Sequence, residues 1–493
     1  MRLENLRRFP PFSGAALPGR PPAESFSALG WRIAAAALAL LIAPAAHADT
    51  PAPVAAALAI LDHEIAADVQ SHGFPGLAIA ITHGDTLLWH HEYGLADLAR
   101  GEKVEADTYF RLGSISKLFT ALAILQLRDA GKLDLDDRAT RFLPWFRLSG
   151  DEHPAITIRE LLLHLSGLPA DAPGVSWTDR AMPERDPVIQ GMPAVEPAIL
   201  AETTWKYSNL GYVLLGFVIE AASGDSYAGY VGGHILKPLG MTGTLVEPAA
   251  DTPHLALGYG SRGPDGSREP RAFLPMGAMT PAAGITATAS DLVKLGAWAL
   301  GETDGPVLSA RSRREMQRPQ ADFSDFSGGQ GLGWEIRPAA KGLRIGHAGK
   351  AAGYAGKLEI EPASGLGVVV LANADENGPG RIADRALDLL GPAFAAAAPV
   401  PPQPVADPAW QDYVGTYGAD HRDCAIVIAN GRLAWQDPAA ADPAKTRIYL
   451  DPAGKDRFKW ASGHLVGEAV VFERGPDGKV TRMVEGGYYD VRR

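Results

Sequence analysis

Strand-forming sequence in this chain comes in two groups, one before residue 95 and one after residue 343, with mostly helical text between. Two β-rich runs flank His83-Gly84-Asp85 in GLAIAITHGDTLLWHHEYG (76–94), which reads as a hairpin. Strands return at RIGHAG (344–349) and in KLEIEPASGLGVVVLAN (357–373), where Ser364-Gly365 marks a turn. The intervening text carries helical patterns at RLGSISKLFTALAILQL (111–127, stopped by Gly131), TIRELLLHLSGL (157–168), NLGYVLLGFVIEAA (209–222, with Gly224 beyond it) and TATASDLVKLGAWAL (286–300). Thr288 and Asp291 occupy capping-box positions in the last of these. Residues 132–205 are otherwise loop-rich. Further helices are expected over 53–69 and 379–396. This order implies an α+β fold: one antiparallel sheet, flanked by helices, whose strands meet across a large helical insertion.

The core of the chain therefore spans 53–395. Residues 396–408 form a Pro/Ala-rich linker by composition, since proline favours an extended path. Beyond it the character changes. CAIVIANGRLAWQ, with Asn430-Gly431, and VVFERGPDGKVTRMV, with Pro476-Asp477-Gly478, read as hairpins, so 409–493 is expected to be a small all-β, barrel-like domain.

The N-terminus reads as a targeting segment. Arg7, Arg8, Arg20 and Arg32 precede the apolar run IAAAALALLIAPAA (33–46), and Ala46 and Ala48 supply small residues at −3 and −1. Residues 1–48 are expected to be a secretory signal, and the mature protein to be periplasmic or secreted with no membrane span. The run is too short for an anchor and contains Pro44. The region preceding it is long, which suggests a start downstream of Met1.

The formal charge of −11 argues against a nucleic-acid partner or an anionic membrane surface, since both need basic patches. The single cysteine, Cys424, allows no internal disulfide and no Cys-based metal site. The histidines form no HExxH pattern, and His90-His91 are expected to be an exposed polar pair on a strand.

One residue is out of place in this pattern. Lys117 lies within a run almost free of charge, and a buried ammonium is costly unless paired or used. In a helix, Ser114 and Lys117 would share a face, so the serine would stand beside a lysine whose pKa burial lowers. Gly113 permits close approach, and the helix N-terminus offers N–H groups to a developing oxyanion. Ser-Lys pairs are a known form of activated serine. Taken alone, SxxK arises by chance about once or twice in a chain this long at average residue frequencies.

Two further elements join it. Tyr207-Ser208-Asn209 lies at a loop-to-helix junction. A phenol facing a lysine ammonium is expected to lose its proton more easily, and Asn209 to hold the lysine or a substrate amide. The bland reading is an ordinary anchor tyrosine followed by a helix cap. His347-Ala348-Gly349 falls on a strand, where Gly349 lets substrate lie close and the Lys350 N–H can complete an oxyanion hole with that of Ser114.

SxxK, YxN and HxG, in that order, resemble the serine β-lactamase and penicillin-binding-protein superfamily, most nearly its class-C-like branch. FRLGSISKLFTALAILQLRDAGKLDLDD, TIRELLLHLSGLP, KYSNLGYVLLG and GLGVVVLAN carry the resemblance over roughly residues 53–395. The C-terminal part is similar to the small barrel often appended to such hydrolases. The resemblance implies that Ser114 is the acylated nucleophile and that Lys117 and Tyr207 share its proton. It implies that Asn209 positions substrate and lysine, and that His347 replaces the lysine of the usual KTG. Gly349 and Lys350 complete the substrate-binding set, and His164 reads as support for a turn. The resemblance implies no metal or organic cofactor.

His347, neutral unless its pKa is raised, and Ala348 lack the charge and the hydroxyl that bind a substrate carboxylate in KTG enzymes. The loss amounts to about 2–4 kcal/mol of carboxylate recognition, which Arg344 or Lys350 would have to replace. The expected function is an exported serine hydrolase acting on esters, D-amino-acid amides or small peptides. The alternatives are a class C-type β-lactamase or D-alanyl-D-alanine carboxypeptidase using the same site, or a slowly acylating sensor. The absence of GxSxG argues against an α/β-hydrolase.

Overall fold

The computed structural model describes residues 50–398, 405–419 and 422–493. The expected secretory signal lies outside the described residues, as does the middle of the expected linker. Strand β1 (Gly76–His83) and strand β2 (Thr86–Asp97) form the N-terminal hairpin, with Gly84 at φ 60° in its turn. The other strands of the same sheet are β3 (Glu102–Lys103), β4 (Ala321–Asp322), β5 (Gly329–Gln330), β6 (Glu335–Pro338), β7 (Leu343–Ala351), β8 (Tyr354–Glu361) and β9 (Leu366–Ala372).

Among the described residues these strands make one nine-stranded sheet in the order β3-β2-β1-β9-β8-β7-β6-β5-β4. The early and late groups meet at its centre, where antiparallel β1 and β9 place Leu77 opposite Ala372 and Ile81 opposite Val368. Every residue of β9 is buried, and β1 is buried up to His83. That is why both read as nearly unbroken apolar runs: neither has a solvent face to pattern.

The helices that frame the sheet are α1 (Ala52–His72), α2 (Ser116–Asp129), α3 (Asn209–Ser223), α4 (Ala289–Leu300) and α5 (Gly378–Ala397). Helix α4 packs on β1, β8 and β9. Helices α1 and α5 are tied by Arg381–Asp68 and Arg385–Glu64 ion pairs. Helices α2 and α3 pack against each other and against the short helix Thr280–Ala283 in the insertion. They form the apolar wall in which Lys117 is embedded.

Several local expectations need correction. The helix expected over 157–168 spans only Ile158–Leu162, because His164 adopts φ 59° and turns the chain back toward the Tyr207 loop. A helix at Arg185–Gly191 lies in text that reads as loop. Pro187 hides it, yet proline is tolerated in a first turn whose N–H groups have no intrahelical acceptor anyway. Thr288 caps α4 by accepting from the Asp291 N–H, but the Asp291 carboxylate turns to Thr244 and Lys294 instead of completing a box. His90 is exposed as expected. His91 is half-buried, stacked on Tyr93 at 4.3 Å with Asp62 2.8 Å from its Nδ1.

The chain divides into two compact units at Ala396–Ala397. In the second unit, β10 (Gly415–Ala419), β11 (Arg422–Ala429), β12 (Arg432–Gln436), β13 (Ile448–Gly454), β14 (Arg457–Trp460), β15 (Ala469–Arg474), β16 (Val480–Glu485) and β17 (Tyr488–Arg492) close into a barrel. Closure pairs β10 with β17 and leaves no free edge. Asn430 and Gly431, at φ 51° and 70°, make the first expected hairpin turn. Tyr417, Cys424, Ile426, Phe458, Phe472 and Met483 fill the interior. Among the described residues no helix is long and apolar enough to cross a membrane.

Candidate active site

Ser114 lies in a single 3₁₀ turn, Gly113–Ile115, that runs directly into α2. Gly113 has φ 53°, and a Cβ there would sit 2.5 Å from the Lys350 carbonyl oxygen. At Gly349 an added Cβ would meet the Leu112 carbonyl oxygen at 1.9 Å. Both glycines are thus required by contact. Together they let the backbone of β7 lie directly against the turn that carries the serine, which brings the Lys350 main chain beside it.

Lys117 is wholly buried. Its Nζ lies 3.2 Å from Ser114 Oγ, 2.7 Å from Asn209 Oδ1 and 3.0 Å from the Ala282 carbonyl oxygen. The rings of Tyr207 and Tyr212 stand 4.8 and 5.4 Å away. Burial lowers the lysine's pKa to about 7, with Asp171 and Glu335 opposing the shift. In the neutral amine two N–H groups serve Asn209 and Ala282, and the lone pair faces the Ser114 hydroxyl.

The Tyr207 phenol donates to Ser114 Oγ at 2.6 Å. Its pKa is raised: burial outweighs the opposing effect of the hydrogen bond with Ser114, and Glu335 and Asp171 push the same way as burial. This reverses the expectation that the facing ammonium makes the phenol more acidic. Desolvation of a phenolate dominates, and the two nearby carboxylates add to it.

Tyr207 is held in place by its neighbours. Ser208 caps α3 through the Gly211 N–H, so the cap and the proposed site coexist in one tripeptide. The Ser208 N–H donates to His164 Nδ1 at 3.1 Å, and the Lys206 N–H donates to the His164 carbonyl. The His164 ring lies 4.5 Å from that of Tyr207. Burial, then Lys117, drives the His164 pKa well below the ordinary value, so the imidazole is neutral. The turn-supporting role expected of His164 extends to bracing the tyrosine.

His347 is also buried, and burial lowers its pKa despite the nearby Glu335 carboxylate, 3.8 Å from Nδ1. Its Nδ1–H points to the Ala348 carbonyl oxygen at 2.6 Å. The position therefore carries no positive charge at neutral pH. Arg344 offers none to the cleft either, because it is engaged by Glu361, Asp384 and Asp388. Lys350 is exposed and lines the cleft beside Ser114, Tyr207, His347 and Gly349, a cavity of 500 Å³.

Three contributors carry no sequence signal. Asp171 accepts from Asn209 Nδ2 at 2.8 Å and from Trp177 Nε1 at 3.0 Å, fixing the amide that holds Lys117. Glu335 and Lys357 line the cleft 3.6 Å apart. Burial would raise the Glu335 pKa, but His347, Lys357 and the Ala348 N–H hold it below the usual value, so it stays ionised. Each comes from a loop or strand where only tertiary packing decides what it faces. Among the described residues, no group of three or more His, Cys, Asp or Glu is placed to hold a metal ion.

A half-open serine with a buried lysine and a phenol on its oxygen is set between an α-helical insertion and the β7 strand, in a fold of the β-lactamase/transpeptidase type. The model of the Beta-lactamase family matches residues 61–392, and the chain belongs to that family. It is 36% identical over 199 residues to penicillin-binding protein 4* of Bacillus subtilis, covering 38% of this chain and 43% of that protein. It is 30% identical over 205 residues to protein flp of Staphylococcus aureus, covering 41% of each. The matches thus span less than half the length of these curated relatives. Among solved structures, the octameric penicillin-binding-protein homologue of Pyrococcus abyssi aligns with a TM-score of 0.61 at 24% identity, over 88% of this chain and all of that one. The class C β-lactamase of Rhodobacter sphaeroides aligns at 0.56 and 25% identity, over 68% of this chain and 98% of the other.

Proposed function

We propose that the protein is an exported serine hydrolase that works through a Ser114 acyl-enzyme on esters, D-amino-acid amides or small peptides. The observation that carries this reading is the convergence of Lys117 Nζ and Tyr207 Oη on Ser114 Oγ, at 3.2 and 2.6 Å. Neutral Lys117 takes the hydroxyl proton as Oγ bonds to the acyl carbon. The N–H groups of Ser114 and Lys350 receive the developing oxyanion. As the tetrahedral adduct collapses, the leaving atom takes the Tyr207 proton, and Lys117 returns one to the phenol. Water then repeats the sequence in reverse and frees Ser114.

The substrate preference rests on the cation missing at position 347. A second reading, a β-lactamase or D-alanyl-D-alanine carboxypeptidase, draws support from the exposed Lys350 in the cleft and from relatives named as penicillin-binding proteins and class C β-lactamases. A panel of a p-nitrophenyl ester, a D-alanine amide, a D-Ala-D-Ala peptide and a chromogenic cephalosporin separates the two. The ester or amide should turn over best. Cephalosporin turnover with kcat/KM in the ordinary enzyme range of about 10⁴–10⁸ M⁻¹s⁻¹ would reverse the preference.

A further inference from the structure

A separate cavity of 660 Å³ lies against the strand that leads into the Ser114 turn. That volume is in the range of small-molecule sites, roughly 300–1,000 Å³. Its wall includes Arg111, Thr108, Phe273, Arg271, Ala352 and Tyr354. Arg111 is 2% exposed, and no carboxylate among the described residues lies within ion-pairing distance of it. Among those residues its one side-chain hydrogen bond runs from Nη1 to the Leu274 carbonyl, and its Nε–H is buried without an acceptor. The Phe273 ring lies 4.9 Å from the guanidinium carbon.

Two other arginines with buried side chains in the same unit are neutralised. Arg344 meets three carboxylates, and Arg268 meets Glu376 and three backbone carbonyls. Arg313, also 2% exposed, meets only the Thr303 carbonyl and the Trp298 ring among the described residues, so it is the adjoining cavity that sets Arg111 apart. A guanidinium buried without its anion costs free energy, and its fork geometry matches a carboxylate or phosphate. Burial lowers its pKa only to about 10, so it stays charged at neutral pH. Four acids line the cavity and none pairs with Arg111: Asp97 is taken by the Ala99 and Arg100 N–H groups and Glu102 by Arg100, while Glu105 and Asp251 make no ion pair with it.

The cavity also touches both arms of the candidate active site. Arg111 precedes Ser114 by three residues in the strand Phe110–Arg111, which pairs with Thr286–Ala287. Ala352 and Tyr354 follow Lys350 at the turn out of β7. An occupant would therefore bear on the two backbone segments that meet at Gly113 and Gly349.

We infer that this cavity is a second ligand site, which takes a small organic anion by its carboxylate or phosphate group on the Arg111 guanidinium and modulates acylation of Ser114. The test is calorimetric titration of the full chain with inorganic phosphate and with benzoate at fixed ionic strength. Rates of Ser114 phosphonylation by a p-nitrophenyl phosphonate, which stand in for acylation, are measured across the same concentrations. Saturable binding of one probe is expected, retained in Ser114→Ala, with an acylation rate that changes at the same midpoint. Binding should weaken about tenfold or more in Arg111→Lys, which keeps the charge but loses the fork. If Arg111→Lys does not fold, Arg271→Ala, an exposed position on the same wall, should weaken binding instead. No saturable binding by either probe, unchanged affinity in the folded variant, loss of binding in Ser114→Ala, or an acylation rate indifferent to occupancy would each overturn the inference.

Discussion

The Tyr207 phenol donates a 2.6 Å hydrogen bond to Ser114 Oγ from a setting that suppresses its own ionisation. A proton donor and relay is therefore the part this tyrosine can play, with the base supplied by Lys117. Tyr207→Phe should lower kcat/KM for an ester by about 10²–10⁴-fold, the usual scale of a lost acid–base partner. The acid limb of the pH–rate profile should stay where it is in the wild type. A displaced limb would return the base role to the phenol.

In the proposed mechanism Lys117 sets that limb. With its pKa held near 7 by burial, protonation removes the base as the pH falls, so kcat/KM should drop through about pH 7. Asp171 and Glu335 raise the lysine's pKa, so Asp171→Asn should move the limb to lower pH. The same substitution loosens Asn209 and should also raise KM. Initial rates measured from pH 5 to 9 in both proteins check the shift.

The same burial makes Lys117 a liability to the fold. Its pKa falls from an ordinary 10.5 to about 7, so between those values the unfolded chain binds more protons and wild-type stability rises with pH. Lys117→Met lacks this dependence. Its unfolding temperature relative to the wild type should be highest below about pH 7 and decline as the pH rises toward 10.5. Turnover should be lost throughout. Differential scanning calorimetry across that window gives the sign.

Gly349 tests the contact that forms the site. A methyl group at this position would stand 1.9 Å from the Leu112 carbonyl oxygen, so Gly349→Ala must push β7 away from the serine turn. The expected cost is about 2–4 kcal/mol of stability together with a large fall in acylation rate. An active variant with wild-type stability would show that the strand is free to shift.

The proposed reacting residues are legible in the sequence because their chemistry coincides with local structure. Ser114 and Lys117 share a helix face, and Tyr207 to Asn209 straddle a helix cap, so spacing alone narrows what they can do. The sheet is legible for a similar reason: nearly unbroken apolar runs at 76–82 and 366–372 demand cover on both faces. Asp171, Glu335 and Lys357 are not legible, since a polar residue in a loop or mixed strand gives no hint of its partner across the fold. The acidity of Tyr207 goes the other way from its sequence context, because the cost of burying a phenolate exceeds what one nearby amine returns. The helix at 158–162 is shorter than its pattern, because apolar periodicity continues past His164 while the backbone there turns to brace the tyrosine.

The central claim is that Ser114 is acylated by way of Lys117, and intact-protein mass spectrometry after exposure to a p-nitrophenyl phosphonate tests it most directly. The wild type should gain one phosphonyl group, mapped to the peptide containing Ser114. Lys117→Met should react far more slowly, and Ser114→Ala not at all. Equal labelling of Ser114→Ala, or undiminished ester turnover by it, would contradict the account.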